Sequence, residues 1–519
     1  MRRPILNTDI LVIILSFLAD STPTISAMMQ SCRFFYHEGP KVILKYGLSF
    51  FPDWDEEIPL MLRFILAEGG IRCRYIGGFF FHLIDPDPSD DSEDSDDSDE
   101  PDAVDIDSDV ADFLIAFFRE HSFPKAEWLI LEPAEELLML LPELLPAFTA
   151  LPNVKYLQLY GCGRIACNIP RNMTKLVSVH LEYDLNEERT RRPMLDIHPL
   201  IILTSSRNTL QWVFLADSET YLPVAYYPAP FSKVISLKMN GPHPPILAPF
   251  AHAFPNLLEL ALLDKKVFFG NVMPEGPSIP EGGRRDVELV RSWKLKQAMG
   301  PLRDLYLGGL ACEIEHVQTF MAEESTYEAL RELVSYARPS NNLIVQTSLP
   351  GMLDDAKGLP SMLRSAGGRL EEFGTFLRLQ PDENDMDMEA GLVSVFRCLW
   401  PTPRTNEVSP QALLRTALLG HPLHTVRLLI VCHDIPAHHD VESDRRSILP
   451  TCPVEEYMAT VDLGVLARSF LDSIATVNLA VVAMLGHRTR NSDDARATRV
   501  EGSIVVERKY SERQNAAES

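Results

Sequence analysis

Nine consecutive positions, Ile10 to Leu18, are apolar except for Ser16. That length suits a helix and is too short for a membrane span. A helix that is apolar on all sides is buried on more than one face or lies against a partner. Asn7, Thr8 and Asp9 precede it, and their side-chain oxygens suit the N-cap or first turn. The pattern then predicts a second helix, capped by Thr22 and Thr24 and running through Met29. A third segment begins at Cys32-Arg33-Phe34-Phe35-Tyr36.

Beyond this head the apolar pattern changes to a recurring L-x-x-L-x-L. Clear instances are Val154/Leu157/Leu159, Leu176/Val179/Leu181, Leu210/Val213/Leu215, Val234/Leu237/Met239, Leu257/Leu260/Leu262 and Leu302/Leu305/Leu307. Looser ones are Ala126/Leu129/Leu131, Leu330/Leu333, Leu370/Phe373, Leu423/Val426/Leu428 and Ile474/Val477/Leu479. Each predicts a short strand with alternate side chains inward, unable to bury its face without its neighbours. Successive starts from Ala126 to Leu302 lie 28, 22, 34, 24, 23 and 45 residues apart. The longer intervals imply insertions in a leucine-rich array. Cys162 falls three residues after Leu159, where this pattern takes Asn or Cys to satisfy turning backbone groups. A conventional α/β protein whose strands begin with Leu-x-x-Leu is the competing reading. The Pro-rich stretches Pro223–Pro230 and Pro242–Pro249 are expected to be turns, because Pro suits neither central strands nor helix interiors.

Charge changes the picture at one place. The formal net charge is −25, but Asp85–Asp109 holds 14 acidic residues and no Lys or Arg, which leaves −11 for the remainder. Such a chain is no general nucleic-acid binder, since phosphates are repelled. The acidic run is too poor in apolar groups to pack and reads as a disordered loop. Its Ser89, Ser92, Ser95 and Ser98 suit acid-directed kinases, or serve only to solvate the loop. Deleting Asp87–Asp107 is expected to leave the melting temperature nearly unchanged, because loop length enters closure entropy only logarithmically. A fall of more than about 5 °C, on the order of 1–2 kcal/mol for so large a protein, would contradict that.

The eight cysteines are scattered, with neither C-x-x-C nor zinc-finger spacing. They read as reduced thiols of a cytoplasmic or nuclear protein. His421, His424, Cys432, His433, His438 and His439 form the densest group of potential zinc ligands, but their spacing matches no closed set and they read as surface residues. No hydrolase, nucleotide-binding or zinc-protease motif is present. No catalytic residue, metal or cofactor is therefore assigned. Asp264–Gly300 is the one sizeable basic island, and Arg284, Arg285 and Trp293 within it are expected to bind a client protein, since Arg beside aromatics is hot-spot composition. A solvated, partly helical insertion accounts for the same residues without a binding role.

Pro4-Ile5-Leu6-Asn7-Thr8-Asp9, the apolar helix, Thr24–Met29 and Cys32–Tyr36 together resemble the F-box, in the form found in F-box-like proteins of mushroom-forming fungi. Asn7 stands where the family usually has Pro, and Phe35 near a position often held by Trp. A secretory signal is the other reading of this head, with Arg2-Arg3 as its basic end, but Asp9 interrupts it and no clean cleavage site follows Ala19. The resemblance implies an α/β protein, a helical F-box at 1–45 followed by an irregular leucine-rich-repeat solenoid. The segments are a connector with a first repeat at 46–84, the acidic loop at 85–109, the array at 110–488 and a polar tail at 489–519, in which Ser503–Val506 can add a last strand. It implies no enzyme activity of its own. The chain would select substrates for an SCF-type cullin-RING ubiquitin ligase. Ile10, Leu11, Ile14, Leu15, Leu18, Cys32 and Phe35 would bury against a Skp-type adaptor held by the cullin scaffold. The array would hold the client, with neither nucleic acid nor membrane as partner. The alternative is a leucine-rich interaction scaffold without ligase assembly.

Overall fold

Alternation of inward apolar and outward side chains organises both halves of the chain into mixed α/β structure. The computed structural model describes residues 8–18, 21–51, 57–82, 108–183, 195–218, 220–241, 245–263, 287–322, 327–348, 362–363, 366, 370–378, 423–431, 462–473, 475–485 and 493–509. These fall into two compact units, one comprising Met1–Gly241 with His252–Asn256, the other Pro242–Ala251 with Leu257–Ser519.

The first unit opens with three helices, α1 (Thr8–Phe17), α2 (Thr22–Ser31) and α3 (Arg33–Ile43). Asp9 lies in the first turn of α1. The cap position of α2 belongs to Ser21 and not to Thr22, which lies inside the helix with Pro23. Leu15, Ile25 and Met29 form the centre of this module, with Leu18, Phe35, Val42 and Phe64 packed around it. Gly39 permits the close approach of α3, because a Cβ there would stand 2.4 Å from Cγ of Met29.

Strand β1 (Leu48–Phe50), helix α4 (Glu57–Leu66) and strand β2 (Gly78–His82) follow. Arg72, between α4 and β2, is buried with its guanidinium over the rings of Tyr36 (4.9 Å) and Phe64 (4.5 Å). It ties the helical head to the start of the sheet. Helix α5 (Ser108–Glu120) leads to β3 (Trp128–Glu132), α6 (Ala134–Leu140) and α7 (Leu144–Thr149). Then come β4 (Tyr156–Cys162), α8 (Asn168–Asn172), β5 (Ser178–Tyr183), β6 (Trp212–Ala216) and β7 (Ser236–Asn240).

All seven strands pair in parallel with their neighbours in chain order. The register is constant through the two inward rows and shifts only beyond them, between Leu159 and Cys162 of β4 against β5. Phe79, Leu129, Leu157, Val179, Val213 and Leu237 form one inward row, and Phe81, Leu131, Leu159, Leu181, Leu215 and Met239 a second. Every one of these side chains is buried, each contributing roughly 1.5–3 kcal/mol of apolar transfer free energy if Val, Leu, Met or Phe. A repeated backbone fork fixes where each strand enters. The Glu127 carbonyl accepts from the N–H groups of Lys155 and Tyr156 at 2.8 and 3.0 Å, and the Lys155 carbonyl from Val177 and Ser178 at 2.7 and 3.0 Å. Helices close the inner face, where Phe118 of α5 meets Phe79 (4.7 Å between centroids) and Phe148 of α7 (5.2 Å).

The second unit repeats this rule over β8 (Glu259–Leu263), β9 (Lys294–Pro301), β10 (Glu313–Ala322), β11 (Asn342–Ser348), β12 (Glu372–Arg378), β13 (Thr425–Val431) and β14 (Leu479–Leu485). Leu260, Ala298, Val317, Leu343, Phe373, Val426 and Ala480 share its inward row. Two antiparallel strands, β15 (Asp493–Val500) and β16 (Ser503–Lys509), finish it. Their turn is two residues long, Glu501 and Gly502, at φ 49° and 82°. That is the left-handed pair whose twist suits a tight hairpin. The Leu463–Ser473 helix packs beside it, capped by Asp462, which accepts from Gly464 N at 2.9 Å and from Arg508 at 2.6 Å.

Several expectations need correction. Leu302 and Leu305 lie on the helix Leu302–Leu307, and Leu330 and Leu333 on the helix Tyr327–Ala337. They are buried as expected, but at helical spacing. The strand rows there are instead filled by Ala298 and Val317. The last instance is displaced by three, since Val477, Ala480 and Val482 hold the inward positions where Ile474, Val477 and Leu479 were expected. Ser108 and Asp109 begin a helix and do not belong to the acidic loop, whose residues 85–107 lie outside the described structure. The stretch 493–509, read as part of a polar tail, is the β15–β16 hairpin. Pro249 stands in the first turn of the helix Ala248–Ala253, where a missing N–H costs nothing.

Candidate interaction surfaces

Helix α1 carries two apolar stripes. Leu11, Leu15 and Leu18 recur at i, i+4, i+7 and face the module: Leu15 is 0% exposed and the other two are half-buried. Ile10, Ile13, Ile14 and Phe17 recur at i, i+3, i+4, i+7 and face outward. Phe17 is 83% exposed, Ile13 53% and Ile10 45%. A contiguous exposed stripe of this size marks an interaction surface, and its spacing is that of a helix laid into a groove.

The expected adaptor-facing residues therefore divide. Ile10 and Ile14 lie on the outward stripe, and Cys32 is exposed. Leu15 packs within the module and is not available to a partner, while Leu18 and Phe35 pack partly against the same cluster. Ile13 and Phe17 were missed. Their spacing was legible, but an all-apolar helix does not disclose which stripe turns outward.

The client-binding expectation fares differently. Trp293 is 1% exposed and belongs to the core of the second unit, so it offers no surface. Its large apolar area is explained by packing at the entry to β9. Arg284 and Arg285 lie outside the described residues, as do His421, Cys432, His433, His438 and His439; His424 is exposed. Among the described residues no group of three His, Cys, Asp or Glu side chains could hold a metal ion. Nor is any described helix long and apolar enough to cross a membrane.

A surface that sequence reading did not single out lies on the outward side of β2–β6. One residue before the first inward row, Trp128, Tyr156 and Trp212 come from strands β3, β4 and β6, with Ser178 of β5 between the last two. Tyr156 and Trp212 are about two-fifths exposed, at 39% and 41%. The Trp128 and Tyr156 rings meet edge to face at 6.0 Å, and Phe80 meets Trp128 at 6.4 Å. Further along the strands His180 lies between Tyr160 (4.7 Å) and Phe214 (4.1 Å). Its Nε2 has no hydrogen-bond partner among the described residues. At the strand ends Glu132 and Glu182 flank Tyr160, whose hydroxyl donates to Gln158 Oε1 at 3.2 Å. Burial, reinforced by the two carboxylates, raises the Tyr160 pKa. Glu132 Oε2 stands 3.1 Å from His82 Nδ1.

Burial pushes the pKa of His180 down to about 4, and that of His198 likewise to about 4. Both are neutral at physiological pH. An imidazole whose folded pKa lies below its unfolded value binds fewer protons when folded, so stability rises with pH through that interval. Denaturation midpoints are therefore expected to fall as the pH is lowered from about 6.5 toward 4, and substituting His198 by a neutral residue should flatten the fall. A midpoint flat across this interval in the wild-type chain would contradict the assignment.

Cys162 behaves as the turn-satisfying residue its spacing predicted, its Sγ donating to the Leu159 carbonyl at 3.2 Å. Burial pushes its thiol well up. The described cysteines 32, 73, 162, 167 and 312 are all free thiols. No protein-family model matches the chain, and no curated protein matches it in sequence.

Proposed function

We propose that this chain is the client-recognition subunit of an SCF-type cullin-RING ubiquitin ligase, built as an F-box-like head on an irregular leucine-rich-repeat solenoid. The observation that carries the reading is the outward stripe Ile10/Ile13/Ile14/Phe17 on the first helix of a three-helix module. Such a stripe needs an apolar partner, and a Skp-type helical adaptor supplies one. The constant strand register behind it gives a repeated surface for a client. In this reading the chain performs no covalent chemistry. It raises the effective concentration of client lysines near the ubiquitin-loaded enzyme, a proximity effect. The working compartment is the cytoplasm or nucleus, in keeping with free thiols.

Affinity purification under proteasome and neddylation inhibition tests this. The wild-type chain is expected to bring down a Skp-type adaptor and a cullin. Recovery of clients without either would instead favour an interaction scaffold that does not assemble into a ligase.

A further inference from the structure

The outward face of β2–β6 combines an aromatic row with carboxylates; its strands carry no Lys or Arg, and Lys238 of β7 borders it beside Phe214. Trp128, Tyr156 and Trp212 span three strand spacings, about 14 Å at ~4.8 Å per strand. That is the length of four to five extended residues, at about 3.3 Å each. Glu132 of β3, which also meets His82, and Glu182 of β5 lie on a parallel line four residues further along, on either side of Tyr160.

Two ligand chemistries suit an aromatic row. A proline-rich segment docks on aromatic grooves through a preformed extended helix. A cationic segment is attracted to ring faces and to carboxylates alike. The carboxylates decide between them. They add nothing to a proline ring, whereas a guanidinium over Tyr160 can reach Glu132 or Glu182, about 13 Å along the strands from the Trp128/Tyr156/Trp212 row. The whole chain, at −25, draws cations toward it.

We infer that the open face of β2–β6 binds an extended Arg/Lys-bearing peptide segment, with Trp128, Tyr156 and Trp212 stacking some of its cationic side chains and Glu132 and Glu182 pairing with others beside Tyr160. This deepens the proposed function and rests on the chain being a receptor for clients; it assigns them a basic recognition segment.

Fluorescence anisotropy on the full-length chain tests the inference without the ligase. Three labelled decapeptides are compared: one with Arg at alternate positions, its citrulline counterpart of equal shape and no charge, and a proline-rich one without charge. The Arg peptide is expected to bind at least ~10-fold more tightly than either of the others, and to weaken as salt rises. Trp212→Ala and Glu182→Gln, each checked for an unchanged thermal transition, should each weaken it about 5-fold or more. Deleting Asp87–Asp107 should leave the Trp212-dependent part intact, which separates the face from attraction to the acidic run. Equal binding of the Arg and citrulline peptides, preference for the proline-rich peptide, or indifference to both substitutions would overturn the inference. Because no adaptor is present, such a failure would leave the ligase reading standing, and loss of adaptor recovery would leave the peptide result standing.

Discussion

Replacing Ile13 and Phe17 together with Asp is expected to abolish recovery of the proposed adaptor and to leave the chain folded. Both side chains face solvent in the free protein, Phe17 at 83% exposure, so their loss costs the fold within roughly 1 kcal/mol. In the docked state each Asp would be an unpaired carboxylate against an apolar groove. Even a total penalty of about 4 kcal/mol raises Kd a thousandfold. Leu15→Asp is the contrasting variant. Leu15 is fully buried beside Ile25 and Met29, and a carboxylate there is expected to unfold the head module itself. Circular dichroism separates the two results. The double variant should keep its helical signal and melting temperature while Leu15→Asp loses part of both. A double variant that still recovers adaptor at wild-type level would remove the outward stripe from the account.

The second large effect lies in the first unit's core. Glu135, in the first turn of α6, is 7% exposed and accepts backbone N–H groups of Gly163 (3.0 Å), Ile165 (3.0 Å) and Ala166 (2.9 Å). One carboxylate thus satisfies the turn after β4. Glu135→Ala strands these three donors and should destabilise the unit by roughly 3–5 kcal/mol, since each buried unsatisfied group costs about 1–3 kcal/mol. The melting temperature would fall by on the order of 10 °C. Glu135→Gln keeps the shape but leaves one acceptor oxygen, and should cost roughly half as much. Gly163→Ala probes the same contact from the other side, because its Cβ would stand 2.3 Å from the Glu135 carboxyl carbon. Wild-type melting of Glu135→Ala would show that the turn is satisfied in another way.

How far these features were legible depends on which property each residue uses. The strands β3–β8 were visible because Leu or Val fills nearly every inward position. Strands β9 and β10 were not. Beyond the buried pair Leu295 and Ile314, their inward residues Ala298, Gly300, Val317 and Thr319 are mostly small or polar, and no leucine pattern detects them. Conversely, Leu302-x-x-Leu305 and Leu330-x-x-Leu333 fit the pattern yet sit on helices, since a spacing of three also places two residues on one helical face. The hairpin at 493–509 hid behind its charges: Ala495 and Ala497 alternate inward between Asp, Arg and Thr.

The surfaces divide on the same lines. Apolarity alone located α1, but partition into inward and outward stripes required the packing of Ile25, Met29 and Phe35 against Leu15. Trp293 was drawn toward a surface role by its composition, and burial overrules that. The aromatic row on β3, β4 and β6 was scattered over 84 positions of sequence, Trp128 to Trp212. Only the constant register brings its members together.

Hydrogen exchange on the purified full-length chain, with and without a purified Skp-type adaptor, tests the central claim most directly. Adaptor binding is expected to slow exchange by about tenfold or more within Thr8–Phe17, whose outward stripe it would cover, with the strands of both units unchanged. Equal exchange over Thr8–Phe17 in the two samples at saturating adaptor, or protection confined to the strands, would contradict it.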